Sequence, residues 1–302
     1  MELYSAEAET LQKITNGWLS ETDQELEATF GVKGAVDVTT FLAVAQRLRA
    51  KGYRSLPQED RMTIMTPEHI RFTLPTMGVI QQYCRDDTIA GKPFIAMIKD
   101  RTLPTSNLDI EDYDVRVKTR RELGVSKDDP KVAQLIATWG QQRKAFRIIR
   151  RWTFEGDGLL IDMSIVRGTL KNDRGEYRWM RRFRDQDVMA APALYEIEVE
   201  LKRLEGDTVE TAMKRLVKGV GEVLRGIQKN SILIRKSTRE KVLKAYQGLV
   251  GTNKFRGVPP ITLELDNFLK DHEEGVANLR DGYNVTDKAD GLRVMEIGRA
   301  SC

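Results

Sequence analysis

Carboxylates at every second position are the side chains in this sequence best suited to chemistry. Residues 24–31 read QELEATFG and residues 194–201 read LYEIEVEL. If both are strands, Glu25 and Glu27 share one face, and so do Glu196, Glu198 and Glu200. Same-face neighbours stand ~7 Å apart along a strand, too far for one strand to enclose an ion. Two such strands side by side can offer several oxygens to one octahedral cation. Alone, each E-x-E reads better as the solvent face of an edge strand. The run from Glu196 to Glu200, however, sets three like charges together, and they repel unless a cation sits among them. Other ligand chemistries are poorly supplied. The two histidines, His69 and His272, have no partner at ligand spacing, and two cysteines, Cys84 and Cys302, cannot frame a disulfide scaffold. Oxygen ligands select hard ions, so Mg²⁺ or Mn²⁺ is the expected cofactor.

Cations accompany the acids. Residues 142–151, QRKAFRIIRR, hold five cations and no acid, in a chain whose 49 Lys plus Arg nearly balance its 45 Asp plus Glu. A local patch of this kind suits a polyanion. Strand parity groups Arg116, Lys118, Arg120 and Glu122; Arg147, Arg151 and Thr153; and Asp162 with Ser164. Turned inward with the glutamates, these faces make a polar cavity for a metal-bound polyphosphate. Turned outward, they make a solvated surface.

The elements that must position these side chains follow from periodicity. Besides residues 24–31 and 194–201, strands are predicted at 69–74, 94–99, 114–120, 145–154 and 159–167, and EGDG at 155–158 makes the fifth and sixth of the chain's strand segments a hairpin. Antiparallel strands with polar residues at alternate positions imply a barrel or strongly curved sheet with a polar interior. A helix is expected where Phe41, Val44, Ala45 and Leu48 share a face before Gly52. A second spans Val209 to Ile227, with Asp207 and Glu210 as its capping box, and a third opens at Ser237. GTNKFRGVPPIT at 251–262 reads as a linker or as the entry strand of a new domain, and with a boundary near residues 235–255 the domains are expected at 1–235 and 236–302. No apolar run of membrane-spanning length occurs, and the acidic start MELYSAEAET lacks a secretory h-region, which implies a cytoplasmic protein with no membrane partner.

Glu25-Leu-Glu27 with Phe30, then RRWTF, LIDMS and YEIEVEL, occur in an order that resembles the triphosphate tunnel metalloenzymes, specifically the metal-dependent RNA 5′-triphosphatases of fungal and DNA-virus capping systems. The resemblance covers roughly residues 20 to 202. It implies an α+β fold: an antiparallel, eight-stranded closed β-barrel, the triphosphate tunnel, with flanking helices. It implies that Glu25, Glu27, Glu198 and Glu200 hold the metal and act in catalysis, with Glu196 beside them in the metal set. Arg71, Lys118, Arg120, Arg147 and Arg151 become phosphate contacts, while Glu122, Asp162 and Ser164 orient cations or water. Two positions depart from the family pattern, Ile149 in place of a common Lys and Leu160 in place of a common Arg.

Residues 283–293, YNVTDKADGLR, contain K-x-D-G with Arg293 two residues beyond the Gly, downstream of GVPPITLELDNF. This resembles the nucleotidyltransferase motif of mRNA guanylyltransferases and ligases, as joined to the triphosphatase in capping enzymes of large DNA viruses. By that resemblance Lys288 takes GMP from GTP and Arg293 contacts the nucleotide. Read without it, Asp290-Gly291 is a hairpin corner. The chain stops eleven residues after Gly291, so a complete guanylyltransferase site is not expected from residues 252–302 alone, and C-terminal capping domains would be further partners. The expected activity is release of the γ-phosphate from 5′-triphosphate RNA, in the host cytoplasm or virion if the source is viral. The competing expectations are a tunnel phosphohydrolase acting on inorganic triphosphate or free nucleotides, and a noncatalytic RNA-binding barrel.

Overall fold

Apolar residues alternate with charged ones along most of the strands, and the apolar face is the one that gets covered. The computed structural model describes residues 1–99, 106–185, 187–252, 254, 263–269, 278 and 279. The chain divides into two compact units, Met1–Arg235 and Lys236–Cys302. The first unit holds helices α1 (Ser5–Ser20), α2 (Val38–Ala50), α3 (Met77–Asp86), α4 (Pro130–Ala137) and α5 (Val209–Ile227). Its strands are β1 (Gln24–Phe30), β2 (Arg54–Ser55), β3 (Glu59–Met65), β4 (Ile70–Leu74), β5 (Ile95–Lys99), β6 (Asn107–Ile110), β7 (Val115–Val125), β8 (Ala145–Gly156), β9 (Leu159–Gly168) and β10 (Leu194–Leu201). The second unit contributes helix α6 (Lys236–Val250), which starts one residue before the expected Ser237.

Hydrogen bonding runs β1-β10-β9-β8-β3-β4-β5-β7, and β7 pairs back onto β1, which closes an antiparallel barrel of eight strands. The long strand β7 makes closure possible: its first half pairs with β1 and its last residues, 122–125, pair with β5. β6 covers the outer edge of the first half, and β2 adds to β8. The β8–β9 hairpin turns through Asp157 and Gly158, both at positive φ (52° and 67°), which is the twist a two-residue hairpin loop requires.

Stability comes from outside the barrel. On one wall Leu26, Ala28, Phe30, Ile197 and Val199 pack against Trp18 of α1, Phe41 and Val44 of α2 and Leu216 and Val220 of α5. On another, Phe72, Ile64 and Phe146 pack against Tyr83 of α3, Val132 of α4 and Trp139. Each buried side chain of this size is worth ~1.5–3 kcal/mol, so the two outer cores can sustain a bore lined with charge. α5 is capped by Thr208, whose side chain accepts from the Thr211 amide at 3.2 Å, and not by the expected Asp207–Glu210 box. Asp207 instead pairs with Arg215, because that buried guanidinium needs a counter-charge. Among the described residues no helix is long and apolar enough to cross a membrane.

Candidate active site in the barrel bore

Directly opposed residues in a ladder share a face, so the register identifies the bore. Lys118, Glu27 and Glu200 are successive partners across β7, β1 and β10. Thr29, Glu198, Asp162 and Thr153 run across β1, β10, β9 and β8, and Glu196, Ser164 and Arg151 run beside them. Arg71 faces Met97, with Glu122 one strand further round. The structure therefore brings Glu25, Glu27, Glu196, Glu198, Glu200, Arg71, Lys118, Arg120, Arg147, Arg151 and Asp162 onto one inner surface. The apolar Ile149 and Leu160 share that surface, at Val166 and at Glu200. Arg116 pairs with Asp109 of β6 at 2.6 Å.

Charges cross the bore in pairs. Glu27 lies 2.8 Å from Arg120 and 3.2 Å from Lys118, yet its buried Oε1 accepts no hydrogen bond, because neither donor is aimed at it. Arg71 pairs with Glu122. The Arg147 guanidinium donates to both oxygens of Glu196 at 2.8 Å. Arg151 is held by its bond to Ser164 Oγ at 3.0 Å and by Asp162, which itself accepts from Thr153 at 2.5 Å, and it stands 3.8 Å from Glu198. A guanidinium fixed on several sides loses little freedom when it meets a phosphate.

The carboxylates are the strained part of this balance. Burial, then Glu25, Asp162 and Glu27 as neighbours, push the Glu200 carboxyl up to about 7. Glu198 is raised by burial and by Glu27, and Glu25 by burial, Glu122 and Glu27. Acids that resist ionisation because they are buried and, secondarily, because other acids stand near them, on two adjacent strands, fit a hard divalent cation chemically. Among the described residues, however, no three acids converge into a ready-made metal cluster. Glu27 and Glu198 lean on cations instead. Lys288, Arg293, His272 and Cys302 lie outside the described residues.

Sequence reading missed β3 as a strand. Its Glu59 opposes Arg151, its Arg61 opposes Ile149 and its Thr63 opposes Arg147, so it forms a sector of the bore. A period of two runs through Arg61, Met62, Thr63 and Ile64, but Glu59 and Asp60 make its first residues polar on both faces.

No protein-family model matches the chain, and no curated protein matches it by sequence. Solved structures do match. The crystal structure of the RNA triphosphatase domain of the trifunctional mimivirus mRNA capping enzyme superposes with a TM-score of 0.51 at 15% identity, over 75% of this chain and 100% of that one. The monoclinic mimivirus capping enzyme triphosphatase gives a TM-score of 0.51 at 14% identity, over 73% and 98%. The chain thus has the triphosphate tunnel fold of RNA triphosphatases.

Proposed function

We propose that the barrel hydrolyses the terminal phosphoanhydride of 5′-triphosphate RNA, releasing inorganic phosphate and leaving a 5′-diphosphate end, the first step of mRNA capping. The observation that carries this reading is the bore itself. One continuous inner surface has glutamates on β1 and β10 facing guanidinium and ammonium groups on β4, β7 and β8. Glu25, Glu27, Glu198 and Glu200, with Glu196 beside them, are the residues that would hold Mg²⁺ or Mn²⁺, which when bound supplies polarisation of a γ-phosphate oxygen. Arg151, Arg147, Lys118, Arg120 and Arg71 receive the non-bridging oxygens and fix the phosphate chain along the bore. A water aligned by the Glu198 or Glu200 carboxylate attacks the γ-phosphorus, the bond from phosphorus to the β–γ bridging oxygen breaks, and the water's proton passes to that carboxylate. Asp162 and Ser164 act by holding Arg151 in place.

The test is release of phosphate from 5′-triphosphate RNA, GTP and tripolyphosphate, with and without Mn²⁺ and with chelator. Metal-dependent release with preference for the RNA is the expected result. Preference for GTP or tripolyphosphate would instead make this a nucleotide or inorganic phosphohydrolase, and salt-sensitive RNA binding indifferent to chelator would make it a noncatalytic barrel. The K-x-D-G segment enters this proposal from the sequence alone. Labelled GTP, with Lys288→Ala as control, reads whether Lys288 accepts GMP.

A further inference from the structure

A cavity of about 240 Å³ opens on the bore itself, where Met65, Arg71, Met97 and Glu122 of the inner surface are joined by His69 and by two aromatic rings from outside the barrel strands. Met65 and Met97 give it an apolar floor, Arg71 and Glu122 connect it to the charged interior, and His69, Tyr177 and Trp179 form its rim. The connection is electrostatic as well as spatial, since Arg71, Glu122 and Arg120 all act on Glu25.

The rim is built. Asn172 donates its amide to the Glu176 carbonyl at 2.8 Å, and its side-chain oxygen accepts from the amides of Arg174 and Glu176, so the segment folds back as a hairpin. Arg178 N donates to Leu170 O at 3.0 Å, and Lys144 and Met180 exchange backbone bonds of 2.6 and 3.0 Å that tie the hairpin to the start of β8. On it Tyr177 and Trp179 stand edge to face, centroids 5.6 Å apart, both half-buried. Neither ring belongs to the two hydrophobic cores, and neither does Met65 or Met97. Large aromatics held at an opening, outside any core, are surfaces for a ligand. The same segment, RWMRRFR at 178–184, carries Arg178, Arg181 and Arg184 exposed.

We propose that this cavity seats the nucleobase of the first nucleotide of the triphosphate-bearing RNA. Trp179 stacks on the ring, Tyr177, edge to face with Trp179, holds the indole in place, and the arginines of residues 178–184 receive the phosphates that follow. The inference rests on the proposed function for its substrate. A flat apolar ring, an anionic chain leading past Arg71 into the bore, and further phosphates outside fit the three chemistries in that spatial order. Inorganic triphosphate fits the bore alone.

Two measurements test it. GTP should quench the fluorescence of Trp179, read as the quenching lost in Trp179→Phe, and tripolyphosphate should not. Trp179→Ala should lower kcat/KM for triphosphate RNA relative to tripolyphosphate by roughly ten- to hundredfold, Tyr177→Ala should lower the same ratio, and Trp179→Phe, which still stacks, should stay near wild type. An unchanged ratio in both alanine variants, equal losses in Trp179→Ala and Trp179→Phe, or no GTP-specific quenching overturns the proposal. If the wild type hydrolyses nothing yet GTP alone quenches Trp179, the base site stands and the hydrolase reading fails. Hydrolysis without quenching or discrimination has the opposite meaning.

Discussion

Arg150 and Arg151 are adjacent and chemically identical, yet strand parity gives them different surroundings. Arg151 meets Ser164, Asp162 and Glu198 in the bore, whereas Arg150 bonds Asp60 at 3.0 Å on the outer face. Arg151→Ala should therefore cut kcat/KM for triphosphate hydrolysis by roughly a hundredfold or more, and Arg150→Ala should change it by less than about threefold, as steady-state kinetics would show. Equal effects would mean that the register is inverted. Glu27→Ala and Glu198→Ala should each abolish metal-dependent phosphate release. Glu198→Ala should not lower the melting temperature of the metal-free protein, because burial and Glu27 already disfavour its charge, whereas Glu27→Ala should lower it by leaving Arg120 and Lys118 without their carboxylate. Glu200 makes a pH prediction. Its folded-state pKa of about 7 lies above the ordinary 4.5, so the folded chain keeps a proton that the unfolded chain has released. That contribution is full below pH 4.5 and is lost as pH rises through 7. Between pH 5 and 8 the metal-free protein should lose about 1–2 kcal/mol through this group, or ~2–8 °C in melting temperature, after allowance for solvent screening. Glu200→Gln should flatten that slope, and an unchanged slope would remove Glu200 as its source.

At the scale of elements, legibility followed the contrast between the two faces. In β1 and β10 the outward residues from Leu26 and Ile197 onward are apolar and buried, as are Val115 and Val117 at the start of β7, and charges alternate with these, so both strand and parity could be read from sequence. β3 begins with Glu59, Asp60 and Arg61 and offers no such contrast over its first half. α1 was also unread: Leu11, Ile14 and Trp18 make a helical stripe, but polar residues between them dilute it. The rim hairpin carries no periodicity, and its signal was the interleaving of arginine with aromatic residues in RWMRRFR. The seating of α5 on α2 was invisible for another reason, since it depends on the absence of a side chain. A Cβ on Gly226 would come within 2.7 Å of the Val44 backbone, so the two helices approach through that glycine. Gly226→Ala should destabilise the protein by ~1–3 kcal/mol in urea unfolding even though alanine favours helix by up to ~1 kcal/mol. A stabilised variant would show that α2 can move away freely.

Across the whole molecule, the bore, the rim hairpin and both outer cores belong to the unit Met1–Arg235. A chain ending at Arg235 should fold cooperatively and keep triphosphate hydrolysis within about threefold of the longer chain. Loss of activity with retained folding would assign residues beyond 235 a part in the reaction. The unit also inverts the usual arrangement of a small barrel, with its apolar mass outside and its charge within. Its closure bears on how it is made. β1 is the first strand synthesised, but its neighbours are β7 and β10, and β10 ends at Leu201. At ~5–20 residues per second, β1 waits roughly 10–35 s on the ribosome with at least one edge bare and with Leu26, Ala28 and Phe30 short of their covering helix α5. Among the described residues the eight strands of the finished ring are each paired on both sides and only the short β2 and β6 keep an open edge, so the half-made chain is more exposed to aggregation than the mature protein.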